Sequence, residues 1–101
     1  MPYGYIIVEM KINDLEQYKK YMAAAQEVVK AAGGEYLVRG GRGETLEGDW
    51  QPARVGVIRF PTFEAAKAFN DGSSYGSARQ LRKGTTDYFN MILVEGVAAP
   101  V

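Results

Sequence analysis

Four segments of this chain have the length and residue content of β-strands, and each is apolar at both of its alternating sets of positions. In Tyr3 to Ile12, one set is Ile6, Val8 and Met10, and the other holds Tyr5, Ile7, Glu9 and Lys11. Glu35 to Arg39 divides into Leu37 and Arg39 against Tyr36 and Val38. Arg54 to Phe60 divides into Val55, Val57 and Arg59 against Gly56, Ile58 and Phe60. Thr86 to Glu95 divides into Tyr88, Asn90, Ile92 and Val94 against Phe89, Met91 and Leu93. Neighbouring strand residues point to opposite faces, so a sheet with one wet face alternates apolar and polar residues. Here both faces ask for cover.

Helical segments supply the cover for one face. From about Leu15 to Ala32, Leu15, Tyr18, Met22, Ala25, Val29 and Ala32 recur at steps of three and four, an amphipathic helix. Asn13 or Asp14 can cap its start, and Gly33-Gly34 stops it. Pro61 ends the third strand and Thr62 can cap a second helix, Phe63 to about Asn70. Asp71-Gly72-Ser73-Ser74 interrupts it, and Tyr75 to Lys83 reads as further helical turns. Gly40-Gly41-Arg42-Gly43 is a flexible turn, and the polar stretch to Pro52 reads as an extended arm or long loop. The order β-α-β-β-α-β is the split βαβ pattern, an α+β ferredoxin-like fold. Right-handed crossovers put both helices on one face of a four-stranded antiparallel sheet. Residues 1–101 read as one domain. Ile6, Val8 and Met10 are assigned to the helix face. The other face, with Tyr5, Ile7, Leu37, Val55, Val57, Tyr88 and Ile92, is then an unusually large exposed apolar patch. A second copy, packed sheet to sheet about a two-fold axis, is the simplest cover. A one-residue bulge would exchange the two faces of a strand.

Composition limits the chemistry. The chain has no His and no Cys. It therefore lacks the commonest general base and metal ligand, a His-type haem ligand, a thiolate site and a Ser-His-Asp triad. No metal and no cofactor are expected. Lys plus Arg equals Asp plus Glu, 12 each, and the signs are interspersed, so nucleic acid is not an expected partner. The N-terminus runs directly into an apolar strand, and the apolar runs are far shorter than the ~20 residues of a membrane span. A cytoplasmic location without membrane contact is expected.

Several residues can carry a site. Glu9, Arg39, Arg59 and Asn90 are polar residues on the second face, which form internal ion pairs or line a cavity. Arg39 and Arg59 have the planar fork that grips a carboxylate or phosphate. Glu47 can act as acid or base if buried, or pair with Arg39 or Arg54. Trp50 suits a pocket mouth or a partner contact. Ser74, Tyr75, Arg79 and Arg82 follow the broken helix. The last three, four and three apart, share a helical face that can orient an oxyanion or pack on the sheet. Tyr18 and Tyr21 read as core. The catalytic candidates are thus Glu9, Glu47 and Tyr75, and the ligand-binding ones are Arg39, Trp50, Arg59, Ser74, Tyr75, Arg79, Arg82 and Asn90.

Gly34, Leu37-Val38-Arg39-Gly40-Gly41, Leu46-Glu47-Gly48-Asp49-Trp50-Gln51-Pro52, Arg54, Phe60-Pro61-Thr62-Phe63-Glu64-Ala65-Ala66, Tyr75, Arg79, Arg82 and Val94-Glu95-Gly96 together form a specific pattern. It resembles the Domain of Unknown Function 1330 family from about Gly4 to Val97. The resemblance implies a place in the dimeric α+β barrel superfamily. That group includes cofactor-independent monooxygenases, muconolactone-isomerase-like enzymes, stress-responsive barrels and haem-dependent chlorite dismutase relatives. The family has no established activity. The expectation is a homodimer binding a small anionic or aromatic molecule in a barrel cavity. The alternatives are a cofactor-independent isomerase or monooxygenase and a non-catalytic interaction module.

Overall fold

The computed structural model describes residues 2–98. The tail expected from Gly96 onward therefore lies partly outside the described residues. The elements follow the expected order: β1 (Gly4–Ile12), α1 (Leu15–Ala31), β2 (Glu35–Arg39), β3 (Arg54–Phe60), α2 (Phe63–Asp71), α3 (Ser73–Gln80) and β4 (Thr86–Glu95). The strands form one antiparallel sheet in the order β2-β3-β1-β4.

Local chemistry sets the boundaries. Asp14 is the N-cap of α1, its carboxylate accepting from the Gln17 N–H at 3.1 Å. Asn13, the other cap candidate, instead donates to Asp87 at 2.8 Å. Beyond α1, Gly33 takes φ +82°, and the Gly34 N–H returns to the Val29 carbonyl at 2.8 Å. Thr62 caps α2 through the Ala65 N–H at 3.0 Å. Gly72 is the junction between α2 and α3, so the expected interruption is one residue wide.

The pairing register assigns the faces. Gly4, Ile6, Val8 and Met10 stand beside Phe60, Ile58, Gly56 and Arg54 of β3, on the side that carries the helices. Phe89, Met91 and Leu93 of β4 join them. The helices contribute Tyr18, Tyr21, Ala25 and Val29 from α1, Ala66 and Phe69 from α2, and Tyr75 and Ala78 from α3. Phe60, 0% exposed, packs against Phe69 at 5.0 Å between ring centres. Each such large side chain contributes about 1.5–3 kcal/mol by leaving water. Tyr21 replaces Leu15 in the buried stripe expected for α1, and Leu15 is exposed.

The second strand departs from simple alternation. Strict alternation puts Arg39 on the open face, and the structure overturns this. The β2–β3 register slips between Tyr36 and Val38, so Tyr36 faces Ile58, Val38 faces Val57 and Arg39 faces Gly56. The extra residue, Leu37, returns Arg39 to the helix face.

Among the described residues, no helix or strand packs on the opposite face. It presents Tyr5, Ile7, Val55, Val57, Tyr88, Ile92 and Val94, with Ile92 59% exposed. The molecule is a slab with its shortest extent at 17 Å. The irregular arm of residues 40–53 curls over one end of this face. Trp50 donates to Glu9 at 2.8 Å, the Ala53 N–H donates to the Tyr88 hydroxyl at 3.0 Å, and Thr45 closes the arm on the Trp50 carbonyl at 2.8 Å.

Candidate functional site

The covered face is incompletely filled. A cavity of about 80 Å³ lies between the sheet and α1 and α3. Its sheet side includes Val8, Met10, Gly56, Ile58 and Met91, and its helix side includes Tyr21, Ala25 and Tyr75. Small residues keep it open. Gly56, in the middle of β3, brings no side chain, and an added Cβ would meet Val8 Cγ1 at 2.9 Å. The volume is well below the roughly 300 Å³ of a drug-sized site. It suits one small ring, or the ring of a larger molecule that projects through the mouth.

The polar groups of the cavity are few. The Tyr21 and Tyr75 hydroxyls lie 2.7 Å apart in the core, and Tyr75 is 1% exposed. A phenol has one hydrogen to donate. Two phenols joined by one hydrogen bond therefore keep one O–H free for a third group. Burial, reinforced by the neighbouring Tyr75 phenol and the shared hydrogen bond, pushes the Tyr21 hydroxyl far above its ordinary range. Burial also pushes Tyr18 from 10.0 up to about 12. Tyr36 is raised by burial too, against the pull of Arg39. Tyr18 and Tyr21 therefore keep their phenol protons well above neutral pH.

Arg82 lies past the end of α3. Its guanidinium sits over the Phe89 ring at 3.5 Å and near the Tyr21 ring at 5.2 Å. Both rings line the cavity. Its Nη1 is buried and has no hydrogen-bond partner. A buried unsatisfied donor is rare in a folded protein. Arg39 and Arg54 line the cavity where β2 leads into the arm, and both are exposed. Arg39 lies over the Tyr36 ring at 4.5 Å.

The other expected site residues go elsewhere. Glu9 is on the open face, where its carboxylate accepts from Trp50 at 2.8 Å and Asn90 at 3.1 Å. The sheet separates this cluster from the tyrosine pair. Trp50, 61% exposed, lies on the arm and away from the cavity lining. Glu47 is on the exposed arm, and among the described residues it pairs with neither Arg39 nor Arg54. Arg59, on the open face, pairs with Glu35 at 3.2 Å and lies over Tyr3 at 4.5 Å. Arg79 donates to the Asn70 carbonyl and side chain at 3.1 and 3.3 Å and lies over the Tyr75 ring. Ser74 is exposed in a groove between the helices. The structure thus brings Tyr75 and Arg82 together with Tyr21, whose hydroxyl the core assignment left out of account. Its place one residue before Met22 in the helical stripe was the available signal.

Comparison with known proteins gives the family and the fold. The chain matches the family described as Domain of unknown function (DUF1330) over residues 3–97. A protein of unknown function from Rhodopseudomonas palustris superposes with a TM-score of 0.76 at 16% identity, covering 96% of this chain and 84% of that one. A dimeric ferredoxin-like protein of unknown function from Thermobifida fusca gives 0.61 at 11% identity, covering 93% and 91%. A protein from Nitrosomonas europaea, provisionally called an antibiotic biosynthesis monooxygenase, gives 0.58 at 14% identity, covering 95% and 99%. No curated protein matches the chain. Likeness at these identities carries the fold and not the activity. With its βαββαβ order and four-stranded antiparallel sheet, the chain has the ferredoxin-like fold and belongs to the Domain of Unknown Function 1330 family.

Proposed function

We propose that this chain binds a small, ring-sized molecule in the cavity between its sheet and helices, and pairs with a second copy through the open sheet face. The observation that carries the reading is the buried Tyr21–Tyr75 pair beside an otherwise largely apolar cavity. The pair keeps an O–H to offer, so a ring bearing an oxygen acceptor fits better than a bare hydrocarbon. Binding is favoured over acid–base catalysis because no Asp or Glu lines the cavity. The two carboxylates considered for that role, Glu9 and Glu47, lie on the open face and on the arm.

The pairing rests on apolar area. Val57, Ile92 and Val94 stand on a face that, among the described residues, no helix or strand covers. The Thermobifida fusca relative is described as dimeric. A second sheet against this face would remove the patch from water.

Isothermal titration of phenol and of toluene tests the binding. The expected result is tighter binding of phenol than of toluene, with the difference lost in Tyr75→Phe. Ala25→Leu, which adds bulk from α1 into the cavity, is expected to abolish binding of both. Binding that survives Ala25→Leu unchanged would place the ligand elsewhere.

A further inference from the structure

The cavity has two ends of different chemistry. Inside are apolar side chains and the tyrosine hydroxyls. At the mouth stand two guanidiniums. The β2 bulge puts Arg39 beside Gly56, and Arg54 lies two residues earlier on β3, opposite Met10. Both are therefore on the helix face at the same end of the sheet. Between them runs Gly40, at φ +69°, its N–H bonded to the Val55 carbonyl at 3.0 Å. A Cβ on Gly40 would lie 3.4 Å from Arg54 Nη1, so the Arg54 guanidinium packs against the bare backbone of this turn.

Among the described residues, neither arginine has an acidic partner. The ion pairs among the described residues are Lys11–Asp87, Arg59–Glu35 and Lys67–Asp71. Glu44 and Glu47 of the arm share the adjoining groove with Arg54 without pairing to it. The chain has equal numbers of acidic and basic residues. Two uncompensated cations at the mouth of an apolar cavity are therefore a local arrangement and not the result of a basic chain.

We infer that the ligand of this cavity is an amphipathic acid, with its ring inside and a carboxylate held at the mouth by Arg39 and Arg54; this rests on the cavity reading proposed above. The guanidinium fork matches a carboxylate in a bidentate geometry, and such charge-assisted bonds are about twice as strong as neutral ones. The cation over Tyr36 holds the Arg39 head in place before an anion arrives. The same charges raise the local concentration of anions and raise the entry rate at low salt.

Phenylacetate and phenylacetamide test this directly, because they share a shape and differ in charge. Titrations followed on the methyl resonances of Met10, Met22 and Met91 report cavity occupancy. The expected result for the unaltered protein is a preference of about tenfold or more for phenylacetate. Arg39→Gln and Arg54→Gln are each expected to reduce that ratio several-fold. Arg59→Gln, on the open face, is expected to keep it. Both substitutions at the mouth replace exposed side chains, and thermal melts confirm that the variants fold. Equal binding of the two probes would overturn the acid and leave the cavity reading standing. A preference unchanged in both mouth variants would overturn the assignment to Arg39 and Arg54. If neither probe moves the cavity methyls, the cavity reading fails with it.

Discussion

The two faces of the sheet carry similar amounts of apolar side chain and treat it differently. On the helix face, Ile6, Val8, Ile58 and Phe60 are buried among aromatic rings, and the space left over is a small cavity with paired phenols. On the open face, Tyr5, Ile7, Val57 and Ile92 form a patch beside the polar cluster of Glu9 with Trp50 and Asn90, and among the described residues no helix or strand packs over it. The difference separates two tasks. The covered face is finished within one chain and keeps a gap. The open face is unfinished, and its carboxylate Glu9 is held by Trp50 and Asn90.

The sharpest way to break this comparison is a charge on the open face. Val57→Asp is expected to weaken self-association by about 100-fold or more, because it buries an unpaired carboxylate. Light scattering reads the change. A variant that remains dimeric shows that copies pair through another surface.

The next effect contrasts truncations on the two faces. Phe60→Ala is expected to cost about 3–5 kcal/mol at any protein concentration, because it empties a filled core position. Ile92→Ala is expected to cost less than about 0.5 kcal/mol at concentrations where the chain is monomeric. When pairs form, the loss grows with concentration. Denaturant melts at two protein concentrations separate these cases. Equal losses would mean that the faces are equally buried in one chain.

A smaller effect sharpens the description of the phenol pair. Tyr21→Phe and Tyr75→Phe are each expected to cost about 1 kcal/mol, since each removes a buried hydrogen bond. The double variant is expected to cost less than the sum, because no phenol is left without its partner. Strict additivity would show that the two hydroxyls are not coupled.

A further effect is confined to alkaline pH. Tyr18 and Tyr21 have folded values raised above the ordinary 10.0, so their protonated forms favour the fold. That contribution is fully present below about pH 10. It is lost as pH rises from there to about 12 for Tyr18 and beyond for Tyr21. Stability is therefore expected to fall over this range, less steeply in Tyr18→Phe, when melts of the two proteins are compared. Parallel curves would contradict a buried Tyr18 phenol.

Much of this was legible in the chain, for local reasons. Apolar spacing marked α1, and β-branched and aromatic runs marked β3 and β4. Asn13-Asp14, Gly33-Gly34 and Thr62 placed the helix ends through capping chemistry that acts within a few residues, and the structure selects Asp14 of the first pair. The site was less legible because it depends on register and on space. Arg39 changed face through one bulged residue, Leu37, which alternation alone does not reveal. Strand parity already separated Glu9 from the helix face, but it gave no sign that the Tyr75 hydroxyl meets Tyr21 across the core. Arg82 and Arg79 were equivalent by helical spacing. One caps the end of α2 through Asn70, and the other keeps a buried N–H without a partner. Such a distinction arises only once side chains are packed.

The division of labour between the faces is tested most directly by methyl NMR during titration with phenol. The aromatic ring is expected to shift the methyls of Met10, Met22 and Met91, which line the cavity, while those of Ile7, Val57 and Ile92 stay in place. Shifts confined to Ile7, Val57 and Ile92 would put the ligand on the open face and contradict the account.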